Sequence, residues 1–155
     1  MNIECKNEYR LLFRIYTIVF LIAFSFACNN SSSETEKNDQ TEKICMDNVI
    51  KQDSILAIVR NEATRSKSLS QTINEYTSGL DTVNLSSCPL EFTKAIKKHI
   101  KAWRALLTVT NKYADLRGEM HVLFEQIKRS ADSSIFNEKE KLIWSTWEEV
   151  EKLTS

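Results

Sequence analysis

The sequence predicts an all-α fold, a small antiparallel bundle of roughly three to five helices. The chain of 155 residues holds only two glycines and one proline, Gly79, Gly118 and Pro89. Sandwiches, barrels and dinucleotide-binding sheets need many more tight turns than these three residues can supply. From Cys45 onward, moreover, apolar residues recur three and four apart, the period of one face of a helix and not of a strand. About 110 residues carry this pattern, enough for one hydrophobic core and too few for two.

The first element is not part of that bundle. Lys6, Arg10 and Arg14 precede an apolar run from Ile15 to Ala27, which has the length of a secretory h-region and falls short of the ~20 residues that span a bilayer. The run closes on Phe24-Ser25-Phe26-Ala27-Cys28. This stretch resembles the lipobox of bacterial lipoproteins, with a small residue just before the cysteine, although Ser25 stands where leucine is usual and Phe26 is bulky. The resemblance implies removal of residues 1–27 as a signal peptide and diacylglyceryl transfer to the Cys28 thiol. It also implies acylation of the new amino terminus by a fatty acid such as palmitate. Because Asn29 and not aspartate follows the cysteine, it further implies the outer membrane rather than the inner. Residues 28–44 are then the lipidated cysteine and a tether. The segment from Asn29 to Glu42 has no apolar side chain, so it buries too little to offset its ordering entropy and is expected to be disordered.

The bundle domain is residues 45–155. Val49, Leu56, Val59, Ala63, Ile73, Tyr76 and Leu80 are read as one apolar face, with Gly79 as a stop. Thr64 to Thr72 is rich in serine and threonine, which leaves open whether residues 45–80 form one helix or two. Cys88-Pro89-Leu90-Glu91 opens the next helix, with proline at its first position and glutamate at its third. Its stripe runs through Phe92, Ile96, His99, Trp103, Leu106, Thr110 and Tyr113, and on through Met120, Phe124, Ile127 and Ala131. One helix of that length is unusual, so a break is expected between Asn111 and Gly118. A last helix is predicted from Asn137, which can cap while Glu140 reaches back, and Ile143, Trp147, Val150 and Thr154 form its stripe.

Cleavage after Ala27 leaves 18 basic and 19 acidic side chains, and a near-neutral domain is no general nucleic-acid binder. Cys45 and Cys88 remain as a pair once Cys5 and Cys28 are assigned to the leader and the lipid. An oxidising envelope favours a bridge, but one straight helix over residues 45–80 would hold the two thiols at opposite ends. The bridge therefore requires a fold-back near Arg65 to Ser70 or a late helix start, and separate buried thiols are the alternative.

Lys94, Lys97, Lys98, Lys101 and Arg104 place five cations on one helix face. They form a candidate surface for an anionic envelope polymer or an envelope protein, while the plainer reading pairs them with Glu148, Glu149 and Glu151. His99 and Trp103 lie on the apolar stripe, which suggests a small-ligand, haem or metal carrier in the periplasm as the rival function, with Met46 or Met120 as an axial ligand. A single histidine is not a metal site, however, and His121 is too far along the chain to complete one. A core histidine, requiring no cofactor, is the expectation. Trp103 and Trp147 are assigned to helix packing, while Trp144, a quarter turn from Trp147, is expected to be partly exposed; an aromatic platform for sugar rings or a lipid chain is the rival reading. No nucleophile motif or flagged carboxylate pair supports an enzyme. The reading is thus a lipid-anchored protein of the bacterial cell envelope acting as a helical interaction or structural module.

Overall fold

The computed structural model describes residues 31–155, with side chains from residue 37 onward, so the leader and Cys28 lie outside the described residues. The fold is all-α, in the order α1 Ser31–Ala63, α2 Leu69–Asp81, α3 Leu90–Thr110, a 3-10 turn Asn111–Tyr113, α4 Met120–Lys128 and α5 Ser133–Thr154. The chain divides into two units, Met1–Asp39 and Gln40–Ser155, and the second holds the bundle. Within the first, residues 31–39 are helical. No helix among the described residues is long and apolar enough to cross a membrane.

Two expectations about α1 are corrected. Residues 31–44, expected as a disordered tether, are helical. Glutamate, lysine and glutamine are good helix formers, no glycine or proline interrupts them, and the packed turns from Cys45 onward already supply the costly nucleus. Lys43 pairs with Asp47 one turn on, at 3.3 Å. The apolar face foreseen is buried at Val49, Ile73, Tyr76 and Leu80, with Leu56 packed against the core, but on α1 the buried positions are not the ones expected beyond Val49. They run through Cys45, Val49, Asp53, Arg60 and Thr64, while Val59 is 54 % exposed.

The chain folds back directly after Ala63. Ser68 caps α2 through its side chain, and Gln71 returns a bond to the Ser68 backbone N–H, a complete capping box. The short antiparallel α2 and the loop after it carry the chain back along α1, and Cys45 and Cys88 form a disulfide with Cα atoms 5.2 Å apart. Gly79 does not stop the helix but lies inside it. A Cβ there would stand 2.8 Å from Leu56 Cδ2, so the Leu56 side chain of α1 packs directly over this glycine and would have to shift for any larger residue.

Helix α3 is the central element, in contact with both α2 and α5. Its stripe buries Phe92, Ile96, His99, Trp103, Leu106 and Thr110, as the periodicity requires. Pro89 stands just before the first helical residue. The chain then breaks over residues 111–119, where Gly118 adopts φ +147° and donates its N–H to Thr64 O at 3.0 Å, joining this loop to the α1–α2 turn. Phe124 of α4 packs edge-on against Phe136 of α5, with centroids 5.0 Å apart.

The start of α5 is corrected too. It begins at Ser133, and Asn137 lies inside it, donating Nδ2–H to Ser133 Oγ at 3.3 Å. Asp132, just before the helix, gives its carboxylate to Lys112 at 2.6 Å and to the Tyr113 hydroxyl at 3.0 Å. The turn is thus fixed by cross-chain bonds and not by a local cap.

Candidate functional site

The five cations of α3 share one exposed face, but their charges are not equally available. Lys94 Nζ lies 2.7 Å from Glu91 and Lys98 Nζ 2.8 Å from Glu149 of α5. Arg104 pairs with Asp81 at the end of α2 and donates to Thr77 O at 3.4 Å. Lys97 and Lys101 are exposed and make no ion pair or side-chain hydrogen bond among the described residues. Of the acids considered for this face, only Glu149 meets it; Glu151 accepts from Trp147 Nε1 at 2.9 Å. Exposed pairs contribute little to stability, yet they cancel charge locally and leave a two-lysine patch one turn long.

His99 is 4 % exposed, and both its ring nitrogens are occupied. Trp103 Nε1–H donates to Nε2 at 3.0 Å, so the proton of the neutral ring sits on Nδ1, which donates to Thr146 Oγ1 at 3.1 Å. The threonine hydroxyl passes its own proton to the Leu142 or Ile143 carbonyl, each 2.9 Å away. Burial, with the positive Arg60 nearby, pushes the imidazole down to about 4, against an opposing backbone bond from Ile143. An imidazole held in this way offers no lone pair to haem iron or zinc without breaking the Trp103 bond. Among the described residues no cluster of three or more His, Cys, Asp or Glu is placed to hold a metal. His121 is exposed and lies 3.5 Å from Glu119.

Beside His99 lies a buried polar cluster that sequence reasoning missed. Asp53 and Arg60 are seven residues apart on the inner face of α1, each 8 % exposed. The Tyr76 hydroxyl donates to Asp53 Oδ1 at 2.5 Å. The Arg60 guanidinium sits 3.9 Å from the Trp103 ring centroid and 4.3 Å from that of Tyr76. Desolvation raises the Asp53 carboxyl, against the Tyr76 bond and the Arg60 charge. Burial and the adjacent carboxylate push the Tyr76 phenol up. Burial lowers Arg60, against Tyr76 and Asp53, and a guanidinium so placed stays a cation. Its Nε and Nη2 reach Asn61 Oδ1 at 3.3 and 3.2 Å, but Nη1 is buried with no partner among the described residues. The two rings offset part of the desolvation, cation–π contacts being worth about 2 kcal/mol when dry, whereas an orphaned N–H costs about 1–3 kcal/mol.

Arg60 and Trp103 line a surface cavity of about 620 Å³. Phe124, Met120 and Trp144 supply its apolar wall, and Trp144 is 60 % exposed. The charged rim holds four glutamates and two cations, Arg65 and Lys128, so it is paired only in part. Glu119 pairs with Arg65 at 3.2 Å, and Lys128 meets Glu125 at 3.2 Å and Glu140 at 3.0 Å. Comparison with family models, with curated proteins and with solved structures finds no match to this chain.

The fold brings His99 and Trp103 into direct contact, keeps the five α3 cations on one surface and bonds Cys45 to Cys88. It adds Asp53, Arg60, Tyr76 and Trp144. A signal for the first two was present: Cys45, Val49, Asp53, Arg60 and Thr64 follow one another at helical spacing, with charged residues occupying core positions of a face poor in large apolar side chains.

Proposed function

We propose that this protein is a lipid-anchored helical interaction module of the bacterial cell envelope, moored through Cys28 and docking an anionic partner through the exposed face of α3. The observation that carries the reading is the pair Lys97 and Lys101, left uncompensated while Lys94, Lys98 and Arg104 each hold a carboxylate. Two free ammonium groups one turn apart suit phosphates or carboxylates repeating along an envelope polymer or an acidic protein surface. The lipobox-like stretch before Cys28 supports mooring to the outer membrane.

The test joins place and surface. Mass spectrometry of the membrane fraction should recover a chain beginning at an acylated Cys28, and an intact Met1 peptide with a free thiol at residue 28 would refute the anchor. Photo-crosslinking from the α3 face in intact cells should capture an acidic partner. The double reversal Lys97→Glu/Lys101→Glu should abolish that capture with unchanged circular dichroism, and equal capture by both proteins would refute the docking face.

A further inference from the structure

Among the described residues, Arg60 is the cation lining the cavity that holds no carboxylate. Lys128 and Arg65 are each paired with glutamates of the rim, whereas Arg60 rests on two aromatic rings and one asparagine oxygen. Asp53, the acid that shares its helix face, is engaged by Tyr76. Arg60, a residue more than nine-tenths buried whose Nη1 has no partner among the described residues, therefore lines a cavity with an apolar wall. We propose that this cavity binds a small amphiphilic carboxylate, its anionic head on Arg60 and its apolar body against Trp144, Phe124 and Met120.

The chemistry matches on three counts. A planar carboxylate is the acceptor that a guanidinium fork takes in two parallel bonds, and burial strengthens such a pair. The cavity volume, about 620 Å³, lies in the range of small-molecule sites and exceeds what a single water would fill. Glu119 is held by Arg65, and Glu125 and Glu140 share Lys128, so these three repel an anion less than free carboxylates would, whereas Glu62 at the exposed edge has no ion pair among the described residues. The Nη1 hydrogens are covered by protein as the chain stands, so the guanidinium must turn to meet the ligand. It gives up two long bonds to the side chain of exposed Asn61, at 3.2 and 3.3 Å, and part of its contact with the Trp103 and Tyr76 rings, which the charge-assisted pair with the ligand must exceed. The carboxylate takes the place of that amide oxygen. This site is separate from the α3 lysine face and does not depend on it.

The probe is octanoate, with octanol as its uncharged counterpart, added to the disulfide-bonded domain with ¹⁵N-labelled indoles. Octanoate should shift the Trp103 and Trp144 indole N–H resonances saturably and bind at least about tenfold more tightly than octanol. Arg60→Met keeps the length and the apolar stem while removing the charge, and should abolish that preference. Trp144→Ala, at an exposed position, should weaken octanoate about tenfold even if Arg60→Met fails to fold. Absence of a saturable shift, equal affinity for octanoate and octanol, or undiminished binding by Trp144→Ala would each overturn the proposal.

Discussion

Acidification should unfold this domain through His99, and the size of the effect follows from its surroundings. In the unfolded chain the imidazole titrates near its ordinary 6.5, while in the fold it is held down at about 4. Above 6.5 neither state is protonated and stability is complete. As the pH falls through this window the unfolded chain takes up a proton that the native one refuses, so stability is lost. The gap corresponds to about 3 kcal/mol once the pH is below both values, of which about 2 kcal/mol is already gone near pH 5. Asp53 works in the opposite sense. Its carboxyl is raised above 3.8, so the native state binds that proton first, and stability is regained as the pH falls from its native value toward 3.8. The clean assay is therefore a comparison: urea unfolding followed by tryptophan fluorescence across this pH range, for the parent and for His99→Gln. Glutamine can accept from Trp103 and donate to Thr146 but does not titrate. The difference between the two proteins should change by about 1.4 kcal/mol per pH unit in mid-window, and Asp53 cancels from it. Parallel curves for the two proteins would refute the buried neutral imidazole.

Two further outcomes follow from the covalent and backbone geometry. Cys45→Ser/Cys88→Ser should lose about 4 kcal/mol of unfolding free energy, the chain-entropy value for a loop closed across 43 residues, and an unchanged urea midpoint would show that the bond constrains nothing. Gly118→Ala should cost about 1–2 kcal/mol in thermal or chemical melts, because φ +147° is a conformation that side chains rarely adopt. The nearest atom to the added Cβ, Leu123 Cδ2 at 3.6 Å, presents no clash, so the loss measures backbone strain less the gain from a stiffer unfolded chain.

Helix α3 was readable almost residue by residue, because every member of its stripe from Phe92 to Thr110 obeys the helical period and the helix is buried against neighbours on two sides. Helix α1 was not. Its inner face carries Asp53 and Arg60, and a pattern search that scores charged residues as exposed rotates the helix until Val59 points inward. Only the partners on other elements, the Tyr76 hydroxyl and the Trp103 ring, make those positions tolerable. The same limit applies to α5. Asn137 and Glu140 have the spacing of a local cap, but the helix starts one turn earlier, with Asp132 before it held by Lys112 and Tyr113 from across the chain. The five-cation face was legible as a stripe, whereas which lysines stay unpaired depended on Asp81 and Glu149, distant in sequence. The cavity had no local signature, since α1, α3, α4 and α5 each contribute to it.

The bond between Cys45 and Cys88 makes the second half of α1, its reversal and α2 into a covalent ring. Arg65 and Lys67 stand exposed at the far side of that ring, where a trypsin-like protease would strike. A single nick there sheds nothing: both fragments stay tethered, and Arg60 stays attached to the chain that bears Trp103. Only a cut followed by a reductant would release the amino-terminal piece. Gels run with and without thiol after limited digestion would reveal this as one band becoming two.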